Sequence, residues 1–319
     1  MTDLRARTVV TVTPNSTIDR VILIDHFAFG ETVRSTGAAW GMGGKPAVSS
    51  FVLGQLGMPC TATGFVAGEA GRRMVAMLRE VGVQTAFLPV AGETRTTYVI
   101  ARASDGQQCT ITVESLEPTP ADADALAEHA LALLPPEGEP AVLFVGGSLP
   151  PGMPVDWYTP LIRRARARGA FTMLDASGRT LEANASACPD LVKPNEAEVA
   201  TLLGRAVRTP GEAAEAAREL RQRGIAVPVI TLGAQGAVAA TPEGTWFVPP
   251  LPVKVVSTAG AGDGFNAGII QARLRGADWP EALRWAGAVA TAVLLTPGTG
   301  VLRPEDVERL HPHMRVERL

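Results

Sequence analysis

From residue 140 onward the chain alternates short apolar runs with longer stretches whose apolar residues recur every three or four positions. "AVLFVGGS" (141–148), "FTMLDAS" (171–177), "DLVKPN" (190–195) and "VPVITLG" (227–233) read as buried strands bounded by turn residues. Between them lie "VDWYTPLIRRARARG", "EAEVATLLG" and "GEAAEAARELRQRG", each with helical spacing and a glycine stop. This rhythm predicts an α/β fold with a mainly parallel central sheet and helices on both faces. Ligands in such sheets sit beyond the carboxyl ends of the strands. Gly147-Ser148, Asp175, Lys193-Pro194-Asn195 and Gly233, which end these runs, are therefore expected in one crevice. The first third differs. "VVTVTPNSTIDRVILID" and "ETRTTYVIARASDGQQCTITVES" alternate in the β manner without helices between them. They predict a small antiparallel sheet projecting from the main one, built from about residues 10–40 and 92–114. With no linker and no internal repeat, residues 1–319 are expected to form a single domain.

Composition narrows the function classes. The 319 residues are 46% hydrophobic, enough for a well-buried core. A net charge of -3 supplies no electrostatic reason to expect a nucleic acid or an anionic membrane as partner. No run reaches the roughly 18 apolar residues of a bilayer span, and the start lacks a secretory pattern. Cys60, Cys109 and Cys188 are far apart and form no CxxC pair. A reducing cytoplasm is the expected location, without a disulfide framework or a zinc site. His26, His129, His311 and His313 stand beside no serine or cysteine motif, which disfavours a Ser-His or Cys-His hydrolase. The HxH at 311–313 reads as solvated tail.

The sharpest chemistry lies in "STAGAGDGFNAGIIQARL" (257–274), a glycine-rich turn running into an apolar-periodic helix. Such a turn exposes backbone N–H groups at the positive end of the helix dipole, where an oxyanion or a transferring phosphoryl group can sit. Asp263 in the first turn could accept the proton of an attacking hydroxyl. It could equally serve only to stabilise the helix start, by about 0.3–1 kcal/mol. The P-loop pattern fails around Lys45, where Ala39 and Pro46 break it, and GxGxxG fails at 260–265. Lys45, Lys193 and Lys254 are the only lysines in an arginine-preferring chain, two of them framed as "GGKP" and "LVKPN".

Eight motifs occur in series: "TPNSTID", "GGK" (43–45), "GETR" (92–95), "GGSLPPG" (146–152), "LDASG" (174–178), "LVKPNEAEV" (191–199), "TLGAQGA" (231–237) and "TAGAGDGFNAG" (258–268). Together they resemble the PfkB carbohydrate kinases of the ribokinase-like superfamily, nearest the 1-phosphofructokinase and tagatose-6-phosphate kinase branch. The resemblance runs over roughly residues 8 to 300. It implies a three-layer ribokinase-like fold with a small antiparallel β lid, ATP and Mg2+ as cofactors, and a sugar or sugar phosphate as acceptor. By this resemblance Asp263 is the general base, and Gly260, Ala261 and Gly262 with the Asp263 amide form the anion hole. Asn195 and Glu198 match an NxxE motif that organises Mg2+, mostly through water. Lys193 approaches the nucleotide phosphates, and Thr231, Gly233 and Gly236 line their path. "GAVATAVLLTPG" (287–298) supplies the apolar wall of the adenine pocket. On the acceptor side the resemblance assigns Asn15, Asp19, Gly43, Gly44 and Ser148 to the sugar, and Lys45 and Arg95 to a phosphate already on it. The lid implies a homodimer.

Departures gather on the acceptor side. "GGKPAV" stands for GGKGxN, so Pro46 replaces a glycine and Val48 an asparagine, while Thr97 and Val113 occupy two other places where asparagine is usual in this branch. Lost amides at a polar site change specificity. A kinase of an unphosphorylated sugar or nucleoside therefore stands as an alternative acceptor reading. A sugar-binding regulator without turnover is the alternative of another class.

Overall fold

The structure is a computed structural model that describes residues 8–102, 107–113 and 115–319. Residues 103–106 and 114, inside the predicted lid segment, lie outside the described residues. At the centre runs an eleven-stranded sheet. Thr61–Val66, Thr8–Thr13, Ala141–Gly146, Phe171–Asp175, Leu191–Val192 and Val227–Thr231 are parallel neighbours in that order. Beyond Val227–Thr231 the sheet turns antiparallel through Ala237–Thr241 and Gly244–Val248. The predicted strands fall where the apolar runs placed them, because strands buried on both faces read as continuous apolar sequence.

Alternate side chains feed two cores. Val142 and Phe144 point to one, with the helices Lys45–Gln55, Ala261–Leu274 and Trp279–Val293. Leu143 and Val145 point to the other, with Pro120–Ala132, Tyr158–Ala167 and Pro210–Gln222. The last of these helices shows how local sequence sets an element. Thr209 and Glu212 form a capping box, Pro210 opens the first turn, and Ala213, Ala214, Ala216, Ala217 and Leu220 make the buried stripe.

A separate four-stranded sheet forms the lid, in the order Gly37–Gly43, Thr17–Ile24, Arg95–Arg102, Gln108–Val113. Its outer pairs are antiparallel and its central pair, Thr17–Ile24 with Arg95–Arg102, is parallel. The lid begins at Thr17, because Thr8–Thr13 is already paired on both sides within the central sheet. Trp40 lies between the guanidinium groups of Arg20 and Arg73, 4.7 and 4.6 Å from its ring centre, which ties the lid to the helix Gly68–Glu80.

Candidate active site

The helix Ala261–Leu274 begins beyond Gly260, whose φ of 83° lies in the left-handed region. A Cβ there would stand 2.4 Å from the Gly300 amide nitrogen, so the turn requires glycine on two counts. No side chain caps this helix. The first turn therefore presents backbone amides without intrahelical acceptors, and Ala261 N makes only a 3.4 Å bond to the Thr258 carbonyl. Asp263 sits in that turn, half-buried, with its backbone carbonyl accepting from Ser49 Oγ at 2.9 Å. Its carboxyl is pushed up to about 7 by burial and by the neighbouring Asp175 charge, against the pull of Lys193 and Lys45. A carboxylate serving the helix dipole would be pulled down instead.

Asp175 is the hub of the site. It ends the strand Phe171–Asp175 and is 1% exposed. Its Oδ1 accepts from Lys45 Nζ at 2.7 Å, and its Oδ2 meets Lys193 Nζ at 2.9 Å and Asn266 Nδ2 at 2.7 Å. Burial works against its charge, yet the Lys193 and Lys45 ammonium groups hold its carboxyl below the usual range. Lys45 Nζ also donates to Glu198 Oε1 at 2.9 Å, and Ser177 Oγ donates to the same oxygen at 2.5 Å. Lys45, expected at the substrate's own phosphate, thus has two carboxylate partners reached from the first residue of its helix. Burial opposes the Lys45 charge, but Asp175 and Glu198 raise its proton affinity.

Asn195 and Glu198 form a reciprocal capping box on the helix Glu196–Leu203. Glu198 N donates to Asn195 Oδ1 and Asn195 N to Glu198 Oε2, both at 2.9 Å. Thr231 bridges Asn195 at the end of its strand and donates its amide to Pro194 O at 3.1 Å. Gly233 opens a short 3-10 turn that Gly236 closes with φ 94°. Among the described residues no group of three or more acidic, histidine or cysteine side chains is arranged to hold a metal directly. The oxygens of Asn195 and Glu198 already accept hydrogen bonds. That donor set suits a hard, hydrated cation held through water. The 287–298 segment forms the end of the helix Trp279–Val293 and the loop after it, with Ala288, Val289, Ala292 and Val293 packed in the core.

Opposite this wall stands the acceptor side. Asp19 on the lid strand Thr17–Ile24 accepts from Thr299 Oγ1 at 2.6 Å. Burial raises its carboxyl to about 6, while Thr299 and Arg95 hold it from rising further. Arg95 begins the adjacent strand, and burial lowers its proton affinity against the Asp19 charge. Asn15 Nδ2 donates to Ser148 Oγ at 3.1 Å. Gly43 approaches Asp19 so closely that a Cβ would lie 2.8 Å from its Oδ1, and Gly44 is the N-cap of the Lys45 helix. Three buried polar atoms here, Thr13 Oγ1, Asn15 Oδ1 and Arg95 Nε, have no hydrogen-bond partner among the described residues. Such atoms are costly unless a ligand meets them.

The predicted residues therefore gather into two facing walls. Val48 and Thr97 do something other than their motif positions suggest. Val48 is 1% exposed and presses on Gly300, where a Cβ would lie 2.5 Å from its Cγ1. Thr97 Oγ1 lies 3.3 Å from Thr17 Oγ1. The roles of Asp175 as hub, of Asn266 and Ser177 in its network, and of Thr299 on Asp19 and Thr13 beside Gly44 were not assigned from sequence. Asp175 carried a topological signal, its place at a strand end, and Thr13, Ser177 and Asn266 stood inside quoted motifs without a role of their own.

A pfkB family carbohydrate kinase model matches residues 10–306 of the chain. The chain belongs to the pfkB family of carbohydrate kinases. It is thus a phosphotransferase with a hydroxyl acceptor, and its architecture is the ribokinase-like one. It is 35% identical to a 1-phosphofructokinase of Haloferax volcanii, over 97% of this chain and 98% of that protein. An ATP-dependent 6-phosphofructokinase isozyme 2 of Mycobacterium tuberculosis is 30% identical over 94% of this kinase and 88% of its own length. Among solved structures, Escherichia coli phosphofructokinase-2 in complex with substrates and products matches with a TM-score of 0.88 at 28% identity. That match covers 96% of this kinase and 98% of the other chain.

Proposed function

We propose that this kinase transfers the γ-phosphoryl group of ATP, with Mg2+, to a hydroxyl of a sugar phosphate, with fructose 1-phosphate the first acceptor to test. The observation that carries this reading is the position of Asp263. It is a carboxyl raised to about 7, at an uncapped helix N-terminus, across the cleft from Asp19. A base so placed is partly ionised near neutral pH and can take the proton of the attacking hydroxyl. The amides of Ala261, Gly262 and Asp263 then face the charge that develops on the transferring group. Lys193, which a Cβ on Gly262 would approach to 3.1 Å, brings a cation to the same point. Asn195 and Glu198 would hold Mg2+ through water, and the metal would neutralise phosphate charge during transfer. Asp19, Asn15, Gly43, Gly44 and Ser148 receive the sugar, and Arg95 its phosphate.

One observation favours the alternative acceptor, an unphosphorylated sugar. Lys45 is already neutralised by Asp175 and Glu198, which leaves Arg95 as the cation for a substrate phosphate. A coupled ADP-release screen across sugar phosphates and free sugars decides between them. Turnover confined to free sugars would sink the phosphosugar reading. We also propose that the lid forms a homodimer contact, since Ile111 on its outer strand is 46% exposed. Light scattering of the purified chain tests this, and a monomer at micromolar concentration rejects it.

A further inference from the structure

The loop after the helix Trp279–Val293 returns to the cleft and touches both of its walls. Thr299, 6% exposed, donates its Oγ1 to Asp19 Oδ2 at 2.6 Å, joining residues 280 positions apart. Its backbone nitrogen would lie 2.9 Å from a Cβ on Gly41, so the loop lies flush against the lid strand Gly37–Gly43. The next residue turns the other way. Gly300 N donates to the Ala259 carbonyl at 3.2 Å, within the turn that leads into the Asp263 helix, and the backbones nearly touch at Gly260. Gln55 clamps the loop from the side, with its Nε2 donating to Gly300 O at 2.8 Å and its Oε1 accepting from Leu302 N at 3.1 Å. Thr296 Oγ1 donates to Val301 O and closes the loop on itself.

We propose that Thr299 is a positioning residue that orients the Asp19 carboxylate toward the acceptor and registers it against the catalytic turn. The inference rests on the kinase reading above, in which Asp19 receives the acceptor's hydroxyls. Two further facts point the same way. Thr299 occupies Oδ2 of Asp19, while Oδ1 accepts from no described residue and lies where any side chain at position 43 would crowd it. The charged groups facing Asp19 are Arg95 from the neighbouring lid strand and Asp263 across the cleft. Thr299 adds a neutral donor that holds the carboxylate ionised beside that second acid. Loss of the hydroxyl therefore does more than loosen the loop, because Asp19 then keeps its proton to higher pH.

The test is steady-state kinetics of wild type, Thr299→Val and Thr299→Ser from about pH 5 to 9, with ATP and each acceptor that wild type turns over. Thr299→Val is expected to raise the acceptor KM by about 10–100-fold, the range for a lost hydrogen bond to a charged group, and to leave the ATP KM unchanged. It also moves the acid limb of the kcat/KM profile to higher pH. Thr299→Ser, which keeps the donor, restores both the acceptor KM and the acid limb. An unchanged acceptor KM and an unshifted limb in Thr299→Val overturn the inference, as does a serine variant as impaired as the valine one. Should Thr299→Val fail to fold, Thr299→Ala carries the same expectation and the same refutation. A wild type active only on free sugars removes the phosphosugar reading and leaves this test in place. A wild type that phosphorylates none of the acceptors overturns both.

Discussion

On the donor wall of the cleft a network of ion pairs is already made: Lys45 and Lys193 share Asp175, and Lys45, Ser177 and the Asn195 amide share Glu198. On the acceptor wall, Thr13, Asn15 and Arg95 keep buried polar atoms that no described residue meets. The ion pairs of the donor wall stand before anything binds, while Asn266 Oδ1 beside Asp175 also lacks a partner among the described residues; charges fixed in this way can stabilise developing charge with little reorganisation. On the proposed reading the acceptor wall would be completed by its ligand. A molecule with the wrong hydroxyl pattern leaves those atoms unpaired, at about 1–3 kcal/mol each. Under the proposed kinase reading, rate would be set mainly by the first wall and discrimination by the second.

The comparison breaks most sharply at Asp263. Asp263→Asn should lower kcat by about 10²–10⁴-fold while ATP affinity, measured by calorimetry, is kept. Near-normal turnover would remove the base from the donor wall. The same variant tests the electrostatics through stability. Burial and the Asp175 charge push the folded carboxyl up to about 7 from its ordinary 3.8, so folding disfavours its ionised form. That penalty is complete above pH 7 and is relieved as pH falls through 7 toward the unfolded value. Asp263→Asn should therefore melt at a higher temperature than wild type at pH 8, by a margin that shrinks toward pH 5. A lower melting temperature at pH 8 contradicts the desolvation argument.

Removing the hub should cost stability instead. Asp175→Asn leaves two ammonium groups without their shared carboxylate, a loss on the order of 3–5 kcal/mol in denaturant unfolding. It also withdraws the like charge that raises Asp263, so the acid limb of kcat/KM should move to lower pH. An unmoved limb would show that burial alone sets it. On the other wall, Arg95→Ala should raise the acceptor KM by about 10–100-fold and leave the ATP KM unaltered, as expected for a charged contact to substrate alone. Equal changes in both constants would dissolve the division between the walls. The smallest effect concerns Val48→Asn. It should cost about 1–3 kcal/mol by burying an amide against Gly300, with no gain in acceptor affinity. A lower acceptor KM in that variant would return position 48 to the sugar site.

Much of this was legible in sequence where the determining residues are neighbours. The buried parallel strands announce themselves as unbroken apolar runs. Asp263 is legible as a candidate base because a glycine turn, a carboxylate and a helix start are contiguous at 260–264. The Asn195–Glu198 box is legible for the same reason, its two bonds spanning three residues. What escaped depends on contacts that only the fold creates. Lys45 finds carboxylates 130 and 153 positions away, and no spacing tells which anion an ammonium will meet. Thr299 reaches Asp19 from near the far end of the chain. The parallel pairing at the centre of the lid was hidden too. β-Type alternation looks the same in either direction, and direction here follows from the segment that runs through the body between Ile24 and Arg95.

That parallel pair has a mechanical consequence. Thr17 and Arg95 are paired at the same end of the two strands, the end rooted in the body, so the sheet is cantilevered from one edge. Asp19 stands two residues from this edge, and Ile24 lies about 16 Å further out at roughly 3.3 Å per residue. Any tilt of the plate sweeps its tip through the longest arc and its root through the shortest. The groups proposed to hold the acceptor are mounted at that root, where a tilt of the plate would displace them least.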